Sequence, residues 1–303
     1  MNFKFDFVGK RKLFFILSAT ILLIGIASLL LQGLNLGVDF VSGSRVDINI
    51  GPDFDMEKGK AALEELGYDN PNIRKAGNQR ELLVFRTDES LDREKVNAIR
   101  DQFQKEFGKQ VAVNEQTVDP IVGRELARNA LISVLIASVG IILYVTLRFE
   151  YRFAMAAVAA LFHDALFVIG MFSLFQWEVD LVFVAAVLTI VGYSVNDTIV
   201  IFDRIRENFE ADKPKRWEEL VETVNRSLRE TLVRSLNTGL TVIFAAVALL
   251  VFGGESIRFF SLALVLGLIA GIYSSIFIAS QIWITWKWKS MEREKRKAST
   301  VTE

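Results

Sequence analysis

Asp197 is the residue in this chain best placed to do chemistry. It lies in Leu181–Phe202, LVFVAAVLTIVGYSVNDTIVIF, an otherwise apolar run long enough to cross a bilayer. An ionised carboxylate at that depth is costly, and such residues face a bundle interior or a water-filled path and often relay protons. Tyr193, Asn196 and Asp197 are three and four residues apart, so a helix places them on one face as a polar stripe. Thr198 adds a hydroxyl at the same level. Counting about 1.5 Å per residue from Leu181 puts Asp197 about 24 Å into the membrane, where desolvation makes the neutral acid accessible at physiological pH. Two readings follow: a proton relay, or a neutral acid gluing two helices with a hydrogen bond of ~1 kcal/mol.

An ionised Asp197 needs a cation. Arg234, in the string SLRETLVRSLNT at the entrance to the fifth apolar run, is one candidate, and by spacing alone Arg229 is its equal. Both also fit the ordinary role of an arginine near a cytoplasmic helix end. His163-Asp164 in the third run either extends a proton path or packs; neighbours in sequence do not share a helix face. Gly267 and Gly271 have the G-x-x-x-G spacing that lets helices approach closely.

Several chemistries are excluded. With no cysteine and one histidine among 303 residues, disulfides, thiolate sites and histidine metal clusters are ruled out. No phosphate-binding G-x-x-x-x-G-K-[ST] string occurs, so ATP bound to this chain is not the expected energy source. No nucleophile, base and orienting group can be assembled, so an enzyme is not expected, nor a cofactor other than protons as coupling ion. No nucleic-acid partner is expected.

The elements that must position Asp197 are membrane spans. Hydrophobic residues make up 51% of the chain, and mean hydropathy is +0.33. Apolar runs of spanning length lie near Leu13–Leu31, Asn129–Leu147, Phe153–Phe175, Leu181–Phe202, Asn237–Phe252 and Phe259–Trp286. The basic-then-apolar start resembles a signal peptide, but its run spans fully, so a retained anchor is expected. Basic residues orient the bundle. Eight lie between Arg204 and Arg234 and six follow Trp286, whereas the short connections Gln176–Asp180 and Gly253–Ile257 hold none. The positive-inside rule places both termini in the cytoplasm. The charged stretch Phe202–Leu236, interrupted at Pro214, is expected to lie along the inner membrane surface as an amphipathic element.

The long segment after the first span then falls outside, with 18 acidic and 13 basic residues from Asn35 to Glu125. Alternation predicts strands at Ser44–Ile50, Asn72–Ala76, Glu81–Thr87 and Val111–Val118. Helices are predicted at Asp55–Leu66 and Asp92–Phe107, stopped by Gly67 and Gly108. The order β-α-β-β-α-β is the ferredoxin-like arrangement. The expected fold is a polytopic α-helical membrane protein with six transmembrane helices and an inserted ferredoxin-like α/β extracytoplasmic domain between spans 1 and 2. Its parts are residues 1–34, the domain 35–124, and the helices of 125–303 with a cytoplasmic connector 203–236.

VGYSVNDTIVIFDRIREN at residues 191–208, Leu36-Gly-Val-Asp-Phe-Val-Ser-Gly43 and His163-Asp164 together resemble the SecF family of protein-export membrane proteins, and the resemblance covers essentially the whole chain. It implies a half-transporter of the resistance-nodulation-division type in a bacterial or archaeal cell membrane. It also implies a SecD-type partner half, association with the SecYEG channel, and preprotein translocation driven by the proton-motive force. Carried over, it makes Asp197 the titrating carboxylate and Arg234 its partner. The family string commonly reads Gly-x-Asp-Phe-x-Gly-Gly after the first span; here Ser42 stands where the first paired glycine would be. Asp39 is read as a structural residue of that junction. Rival expectations are a proton-driven exporter of small molecules or lipids, and a passive scaffold of a membrane complex.

Overall fold

The computed structural model describes residues 5–77, 79–108 and 110–301, with side chains to residue 296. Among them, six helical stretches are long and apolar enough to cross a membrane. The first, α1 (Arg11–Gln32), ends where Gly33 turns to φ 69°. A two-residue strand β1 (Asn35–Leu36) and a single turn α2 (Val38–Val41) follow.

The α/β segment then runs β2 (Gly43–Asn49), α3 (Met56–Glu64), β3 (Asn72–Ala76), β4 (Leu82–Thr87), α4 (Arg93–Phe107) and β5 (Ala112–Val118). Its antiparallel sheet has the order β3-β4-β2-β5. Capping chemistry sets the helix ends. Asp55 accepts from the backbone N–H of Glu57, Asp92 from that of Lys95, and Gly108 closes α4 at φ 61°. Alternation sorts the sheet faces. Val46, Ile48, Leu83 and Phe85 pack with Ala62, Leu63, Val96, Ile99 and Phe103 of the helices. The opposite face carries Arg45, Arg74 and Arg86.

The remaining spans are α5 (Pro120–Arg148), α6 (Tyr151–Phe175), α7 (Leu181–Asp212) and α8 (Trp217–Phe252). The last span is α9 (Arg258–Ser274), a π turn (Ser275–Ala279) and α10 (Ser280–Val301). Between α6 and α7, β6 (Glu178–Val179) pairs in parallel with β1, tying the exit of span 1 to the connection between spans 3 and 4. Asp39 reinforces the joint: its carboxylate accepts from the backbone N–H of Leu181 at 3.0 Å and from Gln116 Nε2 at 2.9 Å. This is the structural role expected of it.

Glycines set the closest helix approaches. A Cβ on Gly25 of α1 would lie 2.9 Å from the Cα of Gly170 in α6. Gly267 packs against Ile190 and Gly271 against Ser194, so the G-x-x-x-G face of α9 is its contact with α7.

One expectation is corrected. Phe202–Leu236 is not a separate element lying along a surface. Its two arms are the ends of α7 and α8, and only residues 213–216 leave helical form. The helix stops because Lys213 takes a left-handed conformation before Pro214, which disfavours helix in the residue preceding it. The hairpin packs on the chain's own ends. Asn225 Oδ1 accepts from the N–H groups of Phe7 and Val8, and Trp217 meets Trp288 of α10.

Candidate functional site

α7 brings the polar stripe to one cavity. Tyr193, Asn196 and Asp197 line a small cavity of about 20 Å³ with Ser194 from the same helix, Ser235 and Thr238 from α8, and Gly267 and Gly271 from α9. Ser235 and Ser275 turn their hydroxyls toward the Asp197 carboxylate. Yet Asp197 Oδ2 and Ser235 Oγ are both buried and complete no hydrogen bond. Such orphaned polar atoms are rare in folded proteins and mark places where a proton, a water or a moving group is accommodated. Thr198 is buried just beyond and shares a 2.8 Å hydrogen bond with Ser275.

Arg234 is not at this site. It precedes Ser235 on α8, is exposed, and forms no ion pair with Asp197. One residue on a helix is a rotation of about 100°, so with Ser235 facing Asp197 its neighbour points away. Arg229, its equal by spacing, is engaged by Glu222 at 2.6 Å.

His163 and Asp164 do meet, contrary to the expectation from helix faces. His163 Nδ1 lies 3.0 Å from Asp164 Oδ1. Asp164 is fully buried, and its Oδ2 accepts from Ser194 at 2.5 Å and Ser274 at 2.7 Å. The four serines around the two carboxylates were not singled out in the sequence, since serine is ordinary in membrane helices.

Comparison with known proteins places this arrangement. The family described as "Protein export membrane protein SecD/SecF, C-terminal" matches residues 98–289, and the SecD/SecF GG motif matches residues 27–52. The chain belongs to the SecD/SecF family. It is 42% identical to the protein translocase subunit SecF of Alicyclobacillus acidocaldarius, over 100% of both chains. It is 46% identical to protein translocase subunit SecDF of Bacillus subtilis across 96% of its own length, and spans 39% of that longer relative. The crystal structure of SecDF from Thermus thermophilus superposes with a TM-score of 0.84 at 35% identity, covering 94% of this chain and 39% of that one. A SecDF structure in a super-membrane-facing form gives 0.72 at 32% identity, covering 98% and 40%.

A second polar site in this SecD/SecF member was not anticipated. Glu178, in β6, is 2% exposed. It lies 3.3 Å from Arg45 and 3.2 Å from Arg74, and also pairs with Arg86. Glu255, before α9, takes Arg74 at 3.1 Å, Arg258 at 3.3 Å and the N–H of Gly77 at 3.2 Å. Arg45 and Arg86 are direct cross-strand partners, a pairing of like charges that is unfavourable unless an anion is shared between them. That cross-strand pairing, once the register is known, is the signal that finds the site. Burial pushes the Glu178 carboxyl up, but Arg45, Arg86 and Arg74 outweigh it and hold it below the ordinary 4.5. The cluster fastens the α/β segment to the connections between spans 3 and 4 and spans 5 and 6.

Proposed function

We propose that this chain is the SecF-type half of a translocase accessory that uses the proton-motive force to promote preprotein passage through the SecYEG channel. Its partner is a SecD-type half, either a separate chain or fused. The observation that carries the reading is the buried, unpartnered Oδ2 of Asp197 on a cavity shared by α7, α8 and α9. A static glue residue would have its oxygens satisfied; a residue that takes up and gives back a proton needs an open partner position.

Protonation and release at Asp197 shift α8 against α7. In the ionised state, rotation of α8 by about one residue exchanges Ser235 for Arg234 beside the carboxylate. Protonation removes that attraction and returns Ser235. One proton moving down its gradient supplies ~2 to 5 kcal/mol, enough to bias a bistable arrangement.

Basic residues concentrate on one side of the bundle, which supports both termini in the cytoplasm and the α/β segment outside. Its strand order and paired helices support a ferredoxin-like domain, placed to hold an emerging unfolded polypeptide. The Glu178 and Glu255 cluster carries helix motion into that domain.

The test is export of a secreted preprotein into vesicles with and without this chain, each with and without an imposed proton gradient. The reading predicts that gradient stimulation appears only when the chain and its partner half are present. Equal stimulation in its absence would overturn it.

A further inference from the structure

Asp164 is a buried carboxylate whose only ion-pair partner among the described residues is its neighbour His163. A buried carboxyl needs hydrogen-bond partners, and Asp164 has three: His163, Ser194 and Ser274. His163 Nδ1 and Asp164 Oδ1 lie within hydrogen-bond distance, at 3.0 Å.

Both hydroxyls that Asp164 accepts from lead toward Asp197. Ser194 lines the Asp197 cavity while donating to Asp164 Oδ2 at 2.5 Å. Ser274 donates to the same oxygen, and the next residue, Ser275, bonds Thr198 and faces Asp197. The π turn of the last span begins at Ser275. Its wider winding lets consecutive serines serve carboxylates on two different helices, and π turns recur at functional sites.

We propose that the His163–Asp164 pair is a second proton-holding site in series with Asp197, joined to it through the Ser194 hydroxyl. This rests on the reading of Asp197 as a titrating residue. The Asp197 acid gives its proton to a water in the cavity. That water gives a proton to Ser194 Oγ, which passes its own hydroxyl proton to Asp164 Oδ2. The net change is one proton moved from Asp197 to Asp164, with water as the sole co-reactant and no change in oxidation state.

The surroundings allow it. Of the elements packed on α6, α7 offers Asp197 and Tyr193, and α9 offers Tyr273, whose ring stacks on His163 at 5.9 Å. α1 holds that tyrosine through Ser18, and its charges, Arg11 and Lys12, lie in its first turn. The tyrosine of α5, Tyr144, is exposed, and its Arg148 pairs with Asp203 at the helix end. In α10, Lys287 pairs with Glu150, the residue just before α6.

The test is infrared difference spectroscopy of the full chain with its partner half in vesicles after a pH jump. It follows the carboxylic C=O bands in the unmodified chain and in Asp164→Asn, Asp197→Asn, Ser194→Ala and Ser194→Thr. Two bands are expected, one lost in each Asp→Asn variant. Ser194→Ala keeps both but slows the Asp164 band roughly 10-fold or more, and Ser194→Thr, which restores a hydroxyl, recovers most of the rate. Co-purification with the partner half checks that each variant is folded. An Asp164 band absent from the unmodified chain, or one whose rate is untouched in Ser194→Ala, overturns the series arrangement and leaves Asp197 standing. A missing Asp197 band with the Asp164 band present overturns the reading of Asp197 and this proposal with it.

Discussion

Arg74 of β3 reaches Glu178, in the connection between the third and fourth spans, at 3.2 Å. A strand of the α/β segment is thereby fixed to a membrane-helix connection distant in sequence. The same guanidinium holds Glu255 at 3.1 Å, so one side chain joins two connections. The sheet is therefore joined to the connections of spans 3 to 6 through charge pairs, as well as to spans 1 and 2 through covalent links.

Replacing Glu178 by Gln leaves Arg45, Arg74 and Arg86 clustered without their shared anion. Breaking a buried ion pair costs about 3 to 5 kcal/mol, so the variant should lose the docking of the α/β segment while keeping its internal core. Limited proteolysis at the β1 and β6 joint should speed up, with protection of α3 and α4 by hydrogen exchange unchanged.

The same cluster sets a pH dependence. The Glu178 carboxyl is held below 4.5 in the folded protein, so its contribution is fully present above that value. It is lost only as pH falls through the lowered folded value. Joint protection measured by hydrogen exchange should persist at pH 4.5 and decline below it, and the decline should be missing in Glu178→Gln.

Ser42 sits at φ 71°, ψ 175°, a region occupied essentially by glycine, and its hydroxyl lies against Gly123. The departure from the family's paired glycines is therefore strained. Ser42→Gly should stabilise the chain by about 1 kcal/mol, read as a rise in the thermal midpoint. Gly43 has no such latitude: a Cβ there would lie 2.2 Å from the Thr87 carbonyl oxygen, so Gly43→Ala should lower the midpoint.

The first and third spans, α1 and α6, meet through Gly25 and Gly170, and Ser28 and Ser173 share a 2.8 Å hydrogen bond one turn on. The chain has no cysteine of its own. A Ser28→Cys, Ser173→Cys pair should oxidise readily to an internal disulfide, and adding Gly25→Val should reduce its yield severalfold by forcing the backbones apart.

The sequence was most legible where the signal is local. Hydropathy marks the six spans, and alternation in ELLVFRT marks β4, because each depends on neighbouring residues alone. Span ends were less legible. The apolar run of the fourth span ends at Phe202, yet a helix need not stop where it leaves lipid, and α7 runs on to Asp212, just before Pro214. Helix-face spacing left the contact of His163 with Asp164 open, because it does not fix where two neighbouring side chains reach. The π turn at Ser275 and the Glu178 cluster depend on partners far along the chain, so no window of sequence displays them. Arg234 was placed by resemblance, and in this conformation Ser235 occupies the position beside Asp197.

The central claim is that Asp197 works by gaining and losing a proton. Its most direct test is gradient-stimulated export of a secreted preprotein into vesicles carrying Asp197→Asn, with assembly on the partner half verified. The variant keeps the shape and a hydrogen-bonding amide but cannot titrate. The account predicts that stimulation by the gradient falls to the level of vesicles lacking the chain. Full stimulation with Asp197→Asn would contradict it and leave Asp197 as a helix contact.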